Sequence, residues 1–233
     1  MTSDLTSIIA DAAGGILPAL AWLWFWLRED SEHPEPRRLI ALAFFAGMCT
    51  VIVTIPLEQY VATLVSNQTL TFTIWSCIEE VLKFMAAFIT VLWRRDDDEP
   101  IDPVIYMIVV ALGFSSLENV LFLGSQVAGS TIFQVIITGN LRFVGATLLH
   151  VVSSATIGVA LAFSFYRPRR VKIIYSICGV ILAATLHAGF NFLILNTPQE
   201  YLLRTFVFVW IAVVALLATL EFVKRIKPRF TRS

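Results

Sequence analysis

Seven runs of about twenty predominantly apolar residues follow one another along this sequence, and a helix of about that length is what crosses the hydrocarbon core of a bilayer. They lie near Ile8 to Leu27, Leu39 to Leu57, Phe72 to Trp93, Val104 to Val127, Phe143 to Phe165, Ile173 to Leu195 and Thr205 to Val223. Lipid offers the backbone no hydrogen bonds, so such runs fold as helices that satisfy their own polar groups. The expected fold class is therefore all-α: a polytopic membrane bundle of about seven transmembrane helices. The runs use up most of the 233 residues, which leaves one transmembrane domain over 1–233 and no soluble one. Composition excludes the soluble alternative: 58% of residues are hydrophobic and 15% charged, with a mean hydropathy of +0.79, far from a globular domain in water. The stretch Ser130 to Leu141 is moderately apolar and reads as an interfacial helix. The opening Met-Thr-Ser-Asp has no positive region of a secretory signal, so the first run is expected to remain as a span.

The basic residues orient the array, because cytoplasmic loops carry the excess of Lys and Arg. Arg28, Arg37 and Arg38 follow the first run, Arg94 and Arg95 the third, and Arg167, Arg169, Arg170 and Lys172 the fifth. Lys224, Arg225, Lys227, Arg229 and Arg232 follow the seventh, and the opposite side holds only Arg142 and Arg204. This 14-to-two imbalance puts the N-terminus outside and the C-terminus in the cytoplasm, with the plasma membrane as the expected location. Trp22, Trp24, Trp26, Trp75 and Trp93 near run ends read as interfacial anchors. The acidic run Asp96 to Glu99, before Pro100 and Pro103, reads as a solvated turn. Cys49, Cys77 and Cys178 are too scattered for a disulfide framework or a CxxC metal site. Nothing points to a nucleic-acid partner; the partners expected are the lipid bilayer and a membrane protein.

Ionisable side chains at bilayer depth cost roughly 2.5 to 3.5 kcal/mol each on insertion scales and default to functional roles. The third run carries Glu79, Glu80 and Lys83, the fourth Glu118 with Asn119, the fifth His150 with Ser153 and Ser154, and the sixth His187 with Asn191. On a helix Lys83 projects between Glu79 and Glu80, so one ammonium reaches both carboxylates. His187 with Asn191, His150 with Ser154, and Phe114 with Glu118 are each four apart and share a face.

The runs alternate in direction, so unrelated polar residues have no reason to share a level. Yet Glu80, Glu118, His150 and His187 all fall about seven to nine residues from the outer ends of their runs, roughly 10 to 14 Å deep at the helical rise. Small residues such as Gly145, Gly158, Ala184 and Ala188 let the helices close around this layer. Interhelical ties alone are worth only about 0.6 to 2 kcal/mol per contact, a poor return on three carboxylates, a lysine and two histidines.

Glu79-Glu80-Val-Leu-Lys83 matches an EExxK motif, Phe114-Ser-Ser-Leu-Glu118-Asn119 an FxxxEN motif, and His150 and His187-Ala-Gly-Phe-Asn191 two later histidine motifs. In this order the chain resembles the PrsW family of intramembrane proteases, grouped with CAAX prenyl proteases and bacteriocin-processing enzymes. The Trp-rich first run and the Glu35-Pro36 loop extend the likeness. The resemblance implies hydrolysis of a peptide bond in a single-span or membrane-tethered protein, as in release of an anti-sigma factor. Two schemes stand open. In one, Glu118, His150 and His187 hold a zinc ion and Glu80 is the general base, without the HExxH pattern of many metalloproteases. In the other no cofactor is needed: Glu79 or Glu80, tuned by Lys83, takes the proton from water while the histidines and Asn191 stabilise the oxyanion. Glu118 stands where the CAAX relatives have histidine. The competing classes are a proton- or ion-coupled transporter using the same cluster and a receptor holding a ligand on Lys83.

Overall fold

Each apolar run becomes a helix in the computed structural model, which describes residues 2–30, 33–94, 96–126, 145–197 and 202–227. Among these residues the order is α1 (Thr2–Leu27), α2 (Arg37–Leu64), α3 (Gln68–Thr90), α4 (Asp102–Gln126), α5 (Ala146–Ser164), α6 (Arg169–Asn196) and α7 (Leu202–Val223). The segment expected as an interfacial helix, Ser130 to Leu141, lies outside the described residues, as does Arg142.

Local chemistry sets several ends. Pro36 and Pro168, which cannot donate to a preceding turn, stand immediately before α2 and α6. Asn67 caps α3 by accepting the Leu70 N–H at 2.9 Å, satisfying one of the orphan donors of the first turn. α2 differs most from its sequence boundary. It continues through Pro56 to Leu64, carrying Glu58 and Tyr60 past the point where the apolar run ends.

Five helices, α2, α4, α5, α6 and α7, are long and apolar enough to cross a membrane. α3 has the length, but every 18-residue stretch of it contains Glu79, Glu80 and Lys83. In α1 the apolar portion is the shorter Asp11–Leu27. The outside of the molecule is oily: Phe45, Ile52, Ile89, Trp93, Val214 and Phe222 are all exposed. The inside holds Glu79, Glu80, Lys83, His150 and His187. That is the distribution a bilayer selects, since a contiguous apolar exterior in water drives aggregation.

α4 is the central helix, lying against α1, α2 and α5. It is buried all round from Asp102 to Ser116, so its sequence shows no apolar stripe. Its neighbours come close at glycines. A Cβ on Gly113 would lie 1.9 Å from the Phe44 carbonyl oxygen of α2, and one on Gly47 2.1 Å from the Val110 oxygen of α4. Gly158 of α5 meets the Val104 backbone in the same way. Small residues at such crossings replace the hydrophobic drive that lipid removes. α3 lies on the flank, against α2 and α6, and α5 lies against α6 and α7. At the basic end, Lys224 beyond α7 bonds Glu29 beyond α1 at 3.0 Å, so the first and last helices finish on the same face.

Candidate active site

Four helices supply one buried cluster. Glu79, Glu80 and Lys83 come from a single face of α3, Glu118 from α4, His150 and Ser154 from α5, and His187 from α6. Glu80 is fully buried and fully satisfied. Its Oε1 accepts from Lys83 Nζ at 2.6 Å and from His187 Nδ1 at 2.9 Å, and its Oε2 accepts from the Ser154 hydroxyl at 2.7 Å. A carboxylate with three donors is a fixed anion, and it fixes them in turn.

The proton positions follow from these partners. A carboxylate only accepts, so Nδ1 of His187 carries the hydrogen and its Nε2 keeps a lone pair. Lys83 only donates, so the 3.1 Å contact between Nζ and His150 Nδ1 makes that nitrogen the acceptor. The hydrogen of His150 is then on Nε2, which donates to Glu118 Oε2 at 3.0 Å. Lys83 Nζ also lies 4.5 Å from the Phe114 ring centre, a cation–π contact in a dry setting. The two imidazoles meet edge to face, 4.9 Å apart.

Glu79 is different. Its Oε2 is buried without a hydrogen-bond partner, 3.5 Å from Lys83 Nζ and 3.9 Å from His187 Nε2. His187 Nε2 makes no hydrogen bond to the described residues. Two acceptors thus face each other across a distance that a water molecule or a cation spans, and an unsatisfied buried carboxylate oxygen is costly unless something donates to it. Glu118 provides the rim: its side chain is 34% exposed, against 9% or less for Glu79, Glu80, Lys83, His150 and His187.

The sequence-derived residues sort differently in space. Glu79, Glu80, Lys83, Glu118, His150 and His187 converge. Asn191 does not join them: its Nδ2 donates to Ser76 Oγ at 3.2 Å, one turn along α3 from Glu80. Asn119 donates to Ser115 and Thr147 hydroxyls at 3.3 and 3.1 Å and so ties α4 to α5. The residues considered for a metal are also arranged unevenly. The three ligand atoms lying within 4.8 Å of one another come from Glu79, His150 and His187, whereas Glu118 backs His150 from its far nitrogen. Glu58 escaped the sequence reading altogether; its side chain comes within hydrogen-bond reach of Glu79, and its carbonyl accepts from Trp75 Nε1 at 3.0 Å. An acid two residues after Pro56 in an apolar helix was the available signal.

This donor set fits a divalent metal. It offers one carboxylate oxygen and two imidazole nitrogens, the orphaned Glu79 Oε2 among them, and each imidazole rests its other nitrogen on a carboxylate, as metal-binding histidines do. An ion held by all three would take from His150 the lone pair that accepts from Lys83.

Comparison with known proteins agrees with the geometry. The sequence profile of "PrsW family intramembrane metalloprotease" matches residues 35–219. "Protease PrsW" of Bacillus subtilis (strain 168) is 28% identical over 214 residues, covering 87% of this chain and 92% of that protein. "Protease PrsW" of Geobacillus kaustophilus (strain HTA426) is 24% identical over 189 residues, 78% of this chain and 79% of the relative. The protein of that name in Clostridioides difficile (strain 630) is 23% identical over 188 residues, 77% of each chain. No solved structure matches the chain.

Proposed function

The chain belongs to the PrsW family of intramembrane proteases, and on that premise we propose that Glu79 is the general base with which it hydrolyses a peptide bond of a membrane-tethered protein. The observation that carries this reading is the pair of facing acceptors, Glu79 Oε2 and His187 Nε2, 3.9 Å apart. A water molecule between them donates one hydrogen to each, which holds its oxygen lone pairs for attack on a scissile carbonyl carbon. As the C–O bond forms, Glu79 takes the water proton; as the C–N bond breaks, it returns that proton to the leaving amine.

The other residues position. Glu80 fixes the His187 tautomer that leaves Nε2 as an acceptor, and Lys83 supplies the positive charge that keeps the paired carboxylates of α3 in place. Glu118 holds the His150 ring from the exposed rim, where water enters. In the alternative scheme a zinc ion bound by Glu79, His150 and His187 would supply Lewis-acid polarisation of the carbonyl and a more acidic water, and Glu79 Oε2 would then be a ligand in place of the base.

The substrate class follows from the setting: a single-span or membrane-tethered protein, an anti-sigma factor being one example, in the plasma membrane. The charge pattern supports a site in the outer half of the bilayer, hence a cut near the external face. The test is Glu79→Gln in purified protein, assayed on a single-span substrate. Cleavage is expected to fall roughly 10² to 10⁴-fold with the unfolding temperature little changed, and undiminished cleavage by a folded variant removes Glu79 as the base. Metal analysis of the same samples separates the two schemes. Stoichiometric zinc, lost in His187→Ala, supports the metal scheme; full activity after chelation supports water and carboxylate alone.

A further inference from the structure

A second group of acids lies at the basic end of the bundle, apart from the site above. Asp30 ends the turn after α1, Glu35 lies in the connection to α2, and Asp102 is the first residue of α4. Asp102 is almost fully buried, Asp30 is 5% exposed, and one carboxylate oxygen from each of the three lies within 4.8 Å of the others. Three acids do not collect in a buried space without a reason, since each adds desolvation cost and repulsion.

The protein's own donors account for only part of the group. Asp102 Oδ2 accepts the backbone N–H groups of Asp98 and Glu99 at 2.9 and 2.6 Å. Glu35 Oε2 accepts from the Tyr106 hydroxyl, and the Asp30 carboxylate accepts from the Glu35 backbone N–H. Each acid is thus anchored at one side. Asp30 Oδ2 is buried and without a hydrogen-bond partner, one Asp30 carboxylate oxygen lies within 4.8 Å of the other two acids, and the Glu35 and Asp102 side chains are themselves within hydrogen-bond reach of each other. The nearby cations are committed elsewhere: Lys224 bonds Glu29 and Glu221 at 3.0 and 2.8 Å, and His33 bonds Glu99 at 3.0 Å.

We propose that Asp30, Glu35 and Asp102 form a binding site for a hard divalent cation of the magnesium or calcium class, which clamps the α1–α2 connection to the start of α4. The ligand chemistry selects the class. All three donors are carboxylate oxygens, with no imidazole or thiolate to favour zinc or copper. A doubly charged ion supplies the orphaned Asp30 oxygen with a partner and offsets the repulsion among three carboxylates held within 4.8 Å. The acidic run Asp96 to Glu99 thereby acquires a purpose beyond solvation: the peptide N–H groups of Asp98 and Glu99 aim Asp102 into the site. The site is independent of the peptidase chemistry, being built from different helices' ends and different donor atoms.

The experiment is thermal unfolding of the full-length protein in detergent, titrated separately with magnesium chloride, calcium chloride and sodium chloride at matched ionic strength. A ligand that binds only the folded state raises the unfolding temperature saturably. The expected result is a saturable rise with magnesium or calcium that sodium does not reproduce, and an apparent affinity weaker by roughly tenfold or more in Asp30→Asn. Equilibrium dialysis with the same two ions gives a stoichiometry near one in the wild type. Absence of a rise with both ions overturns the proposal, and so does an identical rise in Asp30→Asn. Should Asp30→Asn not fold, Glu35→Gln, at a half-buried position, takes its place in the same titration with the same two outcomes.

Discussion

Glu79 and Glu80 are adjacent in sequence and opposite in circumstance. Glu80 is spent on structure: with Lys83, His187 and Ser154 donating to it, its loss leaves a buried ammonium short of its counter-charge. Glu80→Gln is therefore expected to destabilise the fold by about 3 to 5 kcal/mol, the usual result of breaking a buried ion pair. Ser154→Ala, which removes one neutral donor, is expected to cost about 1 kcal/mol. Chemical unfolding of the three proteins side by side checks the ranking. Glu79→Gln should stand apart by losing activity without a comparable loss of stability. The sequence showed that one ammonium serves both carboxylates, but not which carboxylate would be left open. That choice is made across helices, by Ser154 and His187 approaching Glu80, and helical spacing within α3 carries no information about it. The same limit hid the partner of Glu118. Its spacing to Phe114 was legible, whereas its pairing with the outer nitrogen of His150 depends on the α4–α5 contact.

At the level of helices, the apolar runs located every element among the described residues, because membrane length and hydropathy act on each run alone. Boundaries moved where other forces entered. α2 passes its proline to Leu64, and so takes in Glu58, which lies just beyond the apolar run ending at Leu57. Asn191 lies four residues from His187 on one face, yet that spacing advances it a full turn along α6, to the level of Ser76. Close packing makes a sharper prediction. Gly113→Ala would drive a methyl group into the Phe44 carbonyl, and overpacking of this kind costs about 1 to 3 kcal/mol or more. Gly189, on α6, has nothing within 4 Å of an added Cβ, so Gly189→Ala is expected to be neutral or to stabilise by up to about 1 kcal/mol through helix propensity. Opposite shifts in detergent unfolding temperature confirm the packing; equal shifts refute it.

Across the whole molecule, the oily exterior and charged interior agree with the hydropathy reading, and the Lys224–Glu29 contact puts the ends of α1 and α7 on one face. The seven apolar runs, with the basic face in the cytoplasm, predict opposite sides for the two termini. Reporter fusions are expected to be active outside the cell at the N-terminus and inside it at the C-terminus. The same expected orientation predicts where the cut falls: the new terminus of a processed single-span substrate should map nearer its external boundary, and a cytoplasmic terminus would contradict the depth argument.

For a hydrolase surrounded by hydrocarbon, the scarce reagent is the second substrate of every hydrolysis. If Glu79 is the base, Glu79 Oε2 and His187 Nε2, 3.9 Å apart, would hold a small donor just behind the partly exposed Glu118. On that reading the nucleophile would be in place before any scissile bond arrives.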